Sequence, residues 1–405
     1  MNELIQDFYV QHWLRKFINT LPYNERQQLK NLRLCNSKIV QPGHPVFLLS
    51  NGEQSKFHGQ ATCKNTFACP CCSARIANKH AKKIADCLDM FKKDYYAVMA
   101  TFTIPHLKWM SCKEITDILY DTWILCFKNK TSKRERKVNV FREWWQSTEI
   151  KYFIRAMEYT WGKNGWHPHF HCIFFFPRDK VETFYSFEQQ INDKWWRTAK
   201  LKTRQYWEKY NLHSKYNYSD LEDLLFITKK FSVKFSTYEC TSSNYITGWT
   251  SDKEMTGNVH KSASWEGHYT PYQILTKAVA GDTEMAQLYR EFMLNVTRKP
   301  VHHRFEYSQG LNKLIQQYQQ TKKLKEVITK KNTSAKWEVL WWFEKQEWNY
   351  LNDLNREFPI LSNILWIATH SKNLLKNFLA FYGISAPKIR HIWVDSVEKA
   401  FNSAA

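Results

Sequence analysis

The segment Trp166–His167–Pro168–His169–Phe170–His171–Cys172, running straight into Ile173–Phe174–Phe175–Phe176, constrains this chain more than any other. So dense a run of apolar and aromatic residues predicts a buried strand. Residues two apart on a strand share a face, so His167, His169 and His171 project the same way. Three imidazoles side by side on a core strand are costly unless something binds them, and a divalent metal is the natural candidate. Hydrogen-bonded core or surface histidines are the alternative.

Upstream, residues 151–161 (KYFIRAMEYTW) form a second strand-like run, and Gly162–Lys163–Asn164–Gly165 is a turn signal between the two. An antiparallel hairpin closed by that turn sets Trp161 opposite Trp166 and therefore Glu158 opposite His169. Directly opposed residues share a face. The hairpin alone then presents a carboxylate and two or three imidazoles to one point, provided that no bulge shifts the register.

Composition narrows the partner. Lys and Arg number 59 against 38 Asp and Glu, a formal charge of +21, and 18 Trp, 21 Tyr and 26 Phe accompany it. Cations for phosphate and rings for bases suit a nucleic acid. An anionic membrane is the competing partner, but no stretch offers 18 consecutive apolar residues. The start, MNELIQDFYVQHWLRKF, lacks a signal-peptide layout, so the expected setting is cytoplasmic, with no membrane.

Of the 10 cysteines, Cys63, Cys69, Cys71 and Cys72 are clustered, which in such a setting points to metal more than to disulfides. Cys69 and Cys72 make a C-x-x-C knuckle able to grip one tetrahedral Zn²⁺, and Cys63 is a third candidate ligand. The fourth is Cys35 or His80; Cys35 is preferred because structural zinc sites commonly join distant segments. Cys71 points away from a knuckle centred on Cys69 and Cys72.

Along the chain, residues 1–94 form an N-terminal region with the Cys-rich module, 95–312 a central domain, and 313–405 a C-terminal helical domain. Helices are expected over 74–93, 113–128, 183–200 and 284–298, with one starting at Thr270–Pro271. A further helix is conceivable at 242–254, and Lys130–Lys137 reads as an exposed basic loop. Six Trp in the tail, among them Trp337, Trp341, Trp342 and Trp348, are spaced as on helices packed together.

These segments, in order, resemble the rolling-circle replication initiators of small plasmids, within the HUH endonuclease superfamily. CKNTFACPCCSARIANKHAKKI resembles the family's Cys-finger, VMATFTIPH its first strand motif, and IRAMEYTWGKNGWHPHFHCIFF its histidine motif with the preceding Glu. YITGW, GHYTPYQIL and HHRFEYSQGL resemble the tyrosine motif, the helix after it and the closing motif. The resemblance covers roughly residues 30–312.

The resemblance implies an α+β fold: a central antiparallel sheet of about five strands with flanking helices on one side, beside the zinc module and the helical tail. It implies that His169 and His171 bind Mg²⁺ or Mn²⁺ with Glu158 as third ligand, while His167 is an outer or substrate contact. Tyr245 is the implied nucleophile, attacking a phosphate of single-stranded DNA to leave a 5′-phosphotyrosyl link and a 3′-OH, and Tyr238 is an alternative or second one. Many relatives carry a Lys where this chain has Gly248, so Lys253 or Lys261 is expected to supply the cation. Some carry a Glu where this chain has Thr241, which leaves Glu239 as a substitute. The implied task is nicking and rejoining a plasmid origin, on single-stranded or supercoiled DNA, with a host helicase and polymerase. A single-strand transposase or relaxase with the same chemistry is one alternative, and a zinc-dependent DNA-binding protein without nicking activity is another.

Overall fold

The computed structural model describes residues 3–41, 43–127, 150, 152–212, 232–240, 267–298, 303–329 and 336–385. The fold is α+β, and the chain divides into two compact units. One comprises residues 76–274 and 283–325, the other residues 1–75, 275–282 and 326–405. Among the described residues no helix is long and apolar enough to cross a membrane.

The first of these units is built on a five-stranded antiparallel sheet. Its strands are β3 (Tyr95–Phe102), β4 (Tyr152–Gly162), β5 (Gly165–Pro177), β6 (Val233–Glu239) and β7 (Phe305–Tyr307), in spatial order β6-β3-β5-β4-β7. The histidine strand β5 is central, paired on both sides, and buried along almost all of its length. Its register with β4 sets Trp161 opposite Trp166 and Glu158 opposite His169, as the turn predicts. The connection is tighter than a four-residue turn, because Gly162 and Gly165 are themselves paired and only Lys163 and Asn164 span the gap. Gly165 has φ of 83°, and a Cβ there would lie 2.3 Å from the Lys108 carbonyl oxygen, so only glycine fits.

Both faces of this sheet are covered, which corrects the expectation of helices on one side. On one face Phe170, Phe174 and Phe102 meet Trp123 of the helix Cys112–Phe127 and Trp195 of the helix Glu182–Lys209 in edge-on contacts. Arg155 is buried there, bridged to Glu306 at 3.0 Å and set over the rings of Tyr120, Trp123 and Phe170. On the other face the helix Pro70–Phe91 lays down Ile84, Cys87, Leu88 and Phe91, a stripe spaced three and four residues apart. They pack on Ala97, Ile154, Ile173 and Phe175. That face is thus apolar at one end of β5 and carries the histidines at the other.

The second unit holds a smaller antiparallel sheet of β2 (Ser55–His58), β1 (Val46–Ser50) and β8 (Glu338–Phe343), in that order. The helices Glu3–Thr20, Lys345–Glu357, Ile360–His370 and Lys372–Phe381 belong to it. Val46, Leu48, Phe57, Trp341, Phe343 and Trp348 share one core with Ile364 and Leu365. Trp341 and Trp342 therefore sit on a strand, not on the helix their spacing suggests. The tail from 336 also shares a sheet with residues 46–58.

Candidate metal centre

Pairing fixes the site. β5 presents His167, His169 and His171 on one face, β4 adds Glu158 opposite His169, and β3 places Thr101 opposite His171. His171 Nε2 lies 3.0 Å from Glu158 Oε2, His169 Nε2 lies 3.5 Å from that same oxygen, and the two Nε2 atoms are 3.2 Å apart. All three side chains are buried or nearly so.

The far nitrogens of both rings are engaged. His169 Nδ1 donates to the His167 carbonyl oxygen at 3.0 Å, and His171 Nδ1 pairs with Thr101 Oγ1 at 3.1 Å. A proton held on Nδ1 leaves Nε2 with its lone pair, the form in which imidazole ligates a metal. Burial by itself raises the Glu158 carboxyl, but hydrogen bonds and charge from His169 and His171, when their Nε2 atoms carry the proton that a metal ion would replace, outweigh it and hold the group well below its usual range. Glu158, His169 and His171 thus form a group whose ligand atoms lie within 4.8 Å of one another and could hold a metal ion. Two imidazoles and one carboxylate suit a borderline divalent ion such as Mn²⁺ better than Mg²⁺, which favours all-oxygen sets.

His167 is outside that group, and its carbonyl oxygen accepts from His169 Nδ1. Its ring sits 5.1 Å from that of His169 and 5.2 Å from that of His106, and burial followed by the neighbouring imidazoles keeps its pKa well below the ordinary histidine value.

Comparison with protein-family models, with curated protein sequences and with solved structures returns no match.

The other expected site residues divide. Tyr245, Gly248, Thr241, Lys253 and Lys261 lie outside the described residues, as do the segment 242–254 and the loop 130–137. Tyr238 falls on the edge strand β6. Glu239 is paired with Arg178 at 2.5 Å and stands opposite Val98. Val98 is three residues along β3 from Thr101, roughly 10 Å, so Glu239 is not part of the metal group.

Thr101, His106 and His268 gather at the site without having been singled out from the sequence, although each lies in a quoted motif. Arg304, buried and pulled down to about 10 by its desolvation, also feels the Glu158 charge, which partly restores it. Its carbonyl accepts the Met157 N–H at 2.8 Å. The Thr101 contact has a measurable consequence. Thr101→Val keeps the strand shape and removes the partner of His171 Nδ1, and it is expected to weaken Mn²⁺ binding by about 10–100-fold. Calorimetric titration checks this, and an unchanged affinity would show that Thr101 does not orient the ring.

A second metal-ligand group lies in the other unit. Cys35, Cys63, Cys69 and Cys72 bring four sulfurs within 4.8 Å of one another. The Cys35–Cys72 and Cys35–Cys69 separations are 3.5 Å and Cys63–Cys72 is 3.7 Å. Four thiolates at about 2.3 Å from a tetrahedral Zn²⁺ would be ~3.8 Å apart. A disulfide needs about 2.05 Å, and all ten cysteines are free. The Cys63 N–H points to Cys35 Sγ and the Asn65 N–H to Cys63 Sγ, at 3.3 and 3.4 Å. The fourth member is thus Cys35; His80 instead bonds the Tyr307 hydroxyl at 2.7 Å and stacks on Phe305. Cys71 is outside the four-sulfur group and packs against the apolar core of its unit.

Proposed function

We propose that this chain is a replication initiator of the HUH type, which nicks one DNA strand at a plasmid origin and later rejoins it. One observation carries the reading: His169 Nε2, His171 Nε2 and Glu158 Oε2 converge from the two central strands of an antiparallel sheet, with both Nδ1 atoms already engaged. Glu158, His169 and His171 would hold Mn²⁺ or Mg²⁺, and such an ion supplies positive charge to a non-bridging oxygen of the scissile phosphate. The protein's own part is to keep those ligands deprotonated and fixed, and to provide the nucleophile.

That nucleophile is Tyr245, with Tyr238 as the second choice. Its phenolic oxygen forms the new bond to phosphorus while the bond to the 3′ oxygen breaks, leaving a 5′-phosphotyrosyl ester and a 3′-OH. The ester keeps the energy needed to rejoin the strand. Lys253 and Lys261 are the cations proposed near the phosphate in place of the residue missing at Gly248. The four-cysteine group would hold structural Zn²⁺. The net charge of +21 and the 65 aromatic residues counted as Trp, Tyr and Phe favour nucleic acid as partner. A host helicase and polymerase would complete the cycle in the cytoplasm.

The test is incubation of the full chain with Mn²⁺ and supercoiled plasmid bearing the origin found beside its gene. Nicked plasmid with protein attached to the 5′ end is expected, and Tyr245→Phe is expected to abolish the attachment. Intact plasmid with no adduct would refute the nickase. An adduct surviving Tyr245→Phe would move the nucleophile elsewhere, to Tyr238 first.

A further inference from the structure

A second histidine cluster adjoins the metal group and is not used by the chemistry above. His106, just beyond β3, reaches the His167 ring from one side. His268 comes from the segment held to β4 by the paired Trp161 and Tyr269 backbones. Its ring lies over Gly162, where a Cβ would come within 2.6 Å of Cδ2. Gly162 lies two residues beyond Thr160, which is paired with His167, so His268 and His167 share one face of the hairpin. Their closeness is felt electrostatically: His106 and His268 both disfavour a charge on His167.

Two nitrogens in this cluster carry unspent capacity. His106 Nδ1 donates to the Ile104 carbonyl oxygen at 3.1 Å, so its Nε2 is an acceptor in the neutral ring. That Nε2 is buried and has no hydrogen-bond partner among the described residues, and the same holds for His268 Nδ1. Buried polar atoms are normally paired. Two unpaired ones beside a third imidazole, one ring step of 5.1 Å from His169, point to a bound molecule that presents a hydrogen-bond donor to His106 Nε2. Flat rings with an acceptor at the edge match the chemistry of an unpaired nucleobase, which stacks on imidazole and offers N–H groups.

We infer that His106, His167 and His268 form a pocket for one unpaired nucleobase of the strand held at the metal group, with His106 Nε2 accepting from an N–H of that base. The inference rests on reading Glu158, His169 and His171 as a single-stranded DNA site. Within it, this pocket sets a base preference at one position beside the nick, independent of cleavage. Gly162 is a positioning residue, since only a missing side chain leaves His268 its place.

The experiment is selection by equilibrium binding from a randomised single-stranded DNA library, with the full chain in Mn²⁺, followed by sequencing. The wild-type chain is expected to select strands with a preferred base at a defined position. His106→Ala and Gly162→Ala, which alter the pocket from opposite sides, are each expected to relax that one position by about 5–100-fold and leave the others unchanged. An unaltered preference in both variants would overturn the pocket, as would the absence of any base preference in the wild type. Loss spread evenly over all positions would overturn it too, by reporting general damage. Nicking and adduct formation are scored separately, so a chain that selects a base but never cleaves refutes the nickase and keeps the pocket.

Discussion

His171→Ala is expected to reduce Mn²⁺ affinity by about a thousandfold or more, ~4 kcal/mol, and to take the proposed DNA nicking down with it. His171 is the most constrained of the three ligands: its ring is held between Thr101 Oγ1 and Glu158 Oε2, at 3.1 and 3.0 Å, on the central strand. Its removal costs more than one ligand. Burial pushes the Glu158 carboxyl up, and the hydrogen bonds and charges of the two imidazoles bring it down. With His171 gone, one bond of 3.5 Å from His169 remains, and Glu158 is expected to take up a proton more readily. A protonated carboxyl is a poor ligand, so the defect should deepen as pH falls and ease as it rises. Glu158→Gln isolates that contribution, since it keeps the shape and discards both the charge and its pH dependence. Calorimetric titration with Mn²⁺ across the pH range, beside an adduct assay, measures both effects. Wild-type Mn²⁺ binding by His171→Ala would remove the metal centre as described.

The part of this centre legible in the sequence is the part built by one hairpin. A short turn between two long runs leaves a single register, and that register alone brings Glu158 to His169. Strand parity likewise puts three histidines on one face, but it says nothing of where the rings end. His167 shares the face and still contributes only its carbonyl to the triad, because the His169 ring turns back to bond it. Thr101, His106 and His268 come from a neighbouring strand and from segments remote in sequence, and no local pattern announces such a meeting. The same limit hid β8. Trp341 and Trp342 look helical in a window of tail residues, yet Glu338–Phe343 finds its partner almost 300 residues earlier, in β1. The covering of both sheet faces was readable in hindsight. The stripe Ile84, Cys87, Leu88, Phe91 is a one-sided helix that needs an apolar surface, and the Ile173–Phe175 end of the histidine face supplies one.

Cys72→Ser is expected to yield a chain without bound zinc, with the segment 59–72 opened to proteolysis. The four sulfurs join a loop at Cys35 to a stretch at 63–72 that contains little apolar material of its own, whereas β1 and β2 between them are anchored in a separate core. The cluster therefore adds a restraint on residues 59–72 beyond the backbone bonds that tie Gly59 and Ala61 to residues 36–40 and the helix that begins at Pro70. Structural zinc in small thiolate sites contributes about 10–16 kcal/mol, comparable to the whole stability of an ordinary domain, about 5–15 kcal/mol. Serine supplies no thiolate, and the three sulfurs left behind, Cys35 and Cys69 3.5 Å apart and all within 4.8 Å of one another, would lack a cation. The core of Val46, Leu48, Phe57, Trp341 and Trp348 does not depend on the sulfurs. Its cooperative unfolding should thus survive while the zinc-held segment is lost. Metal analysis, limited proteolysis and thermal unfolding of the variant beside wild type separate these effects. A chelator-treated wild type should behave like the variant, and returned Zn²⁺ should restore only the former. If both resist protease as the untreated chain does, then packing alone holds 59–72 and the four thiols are not a structural zinc site.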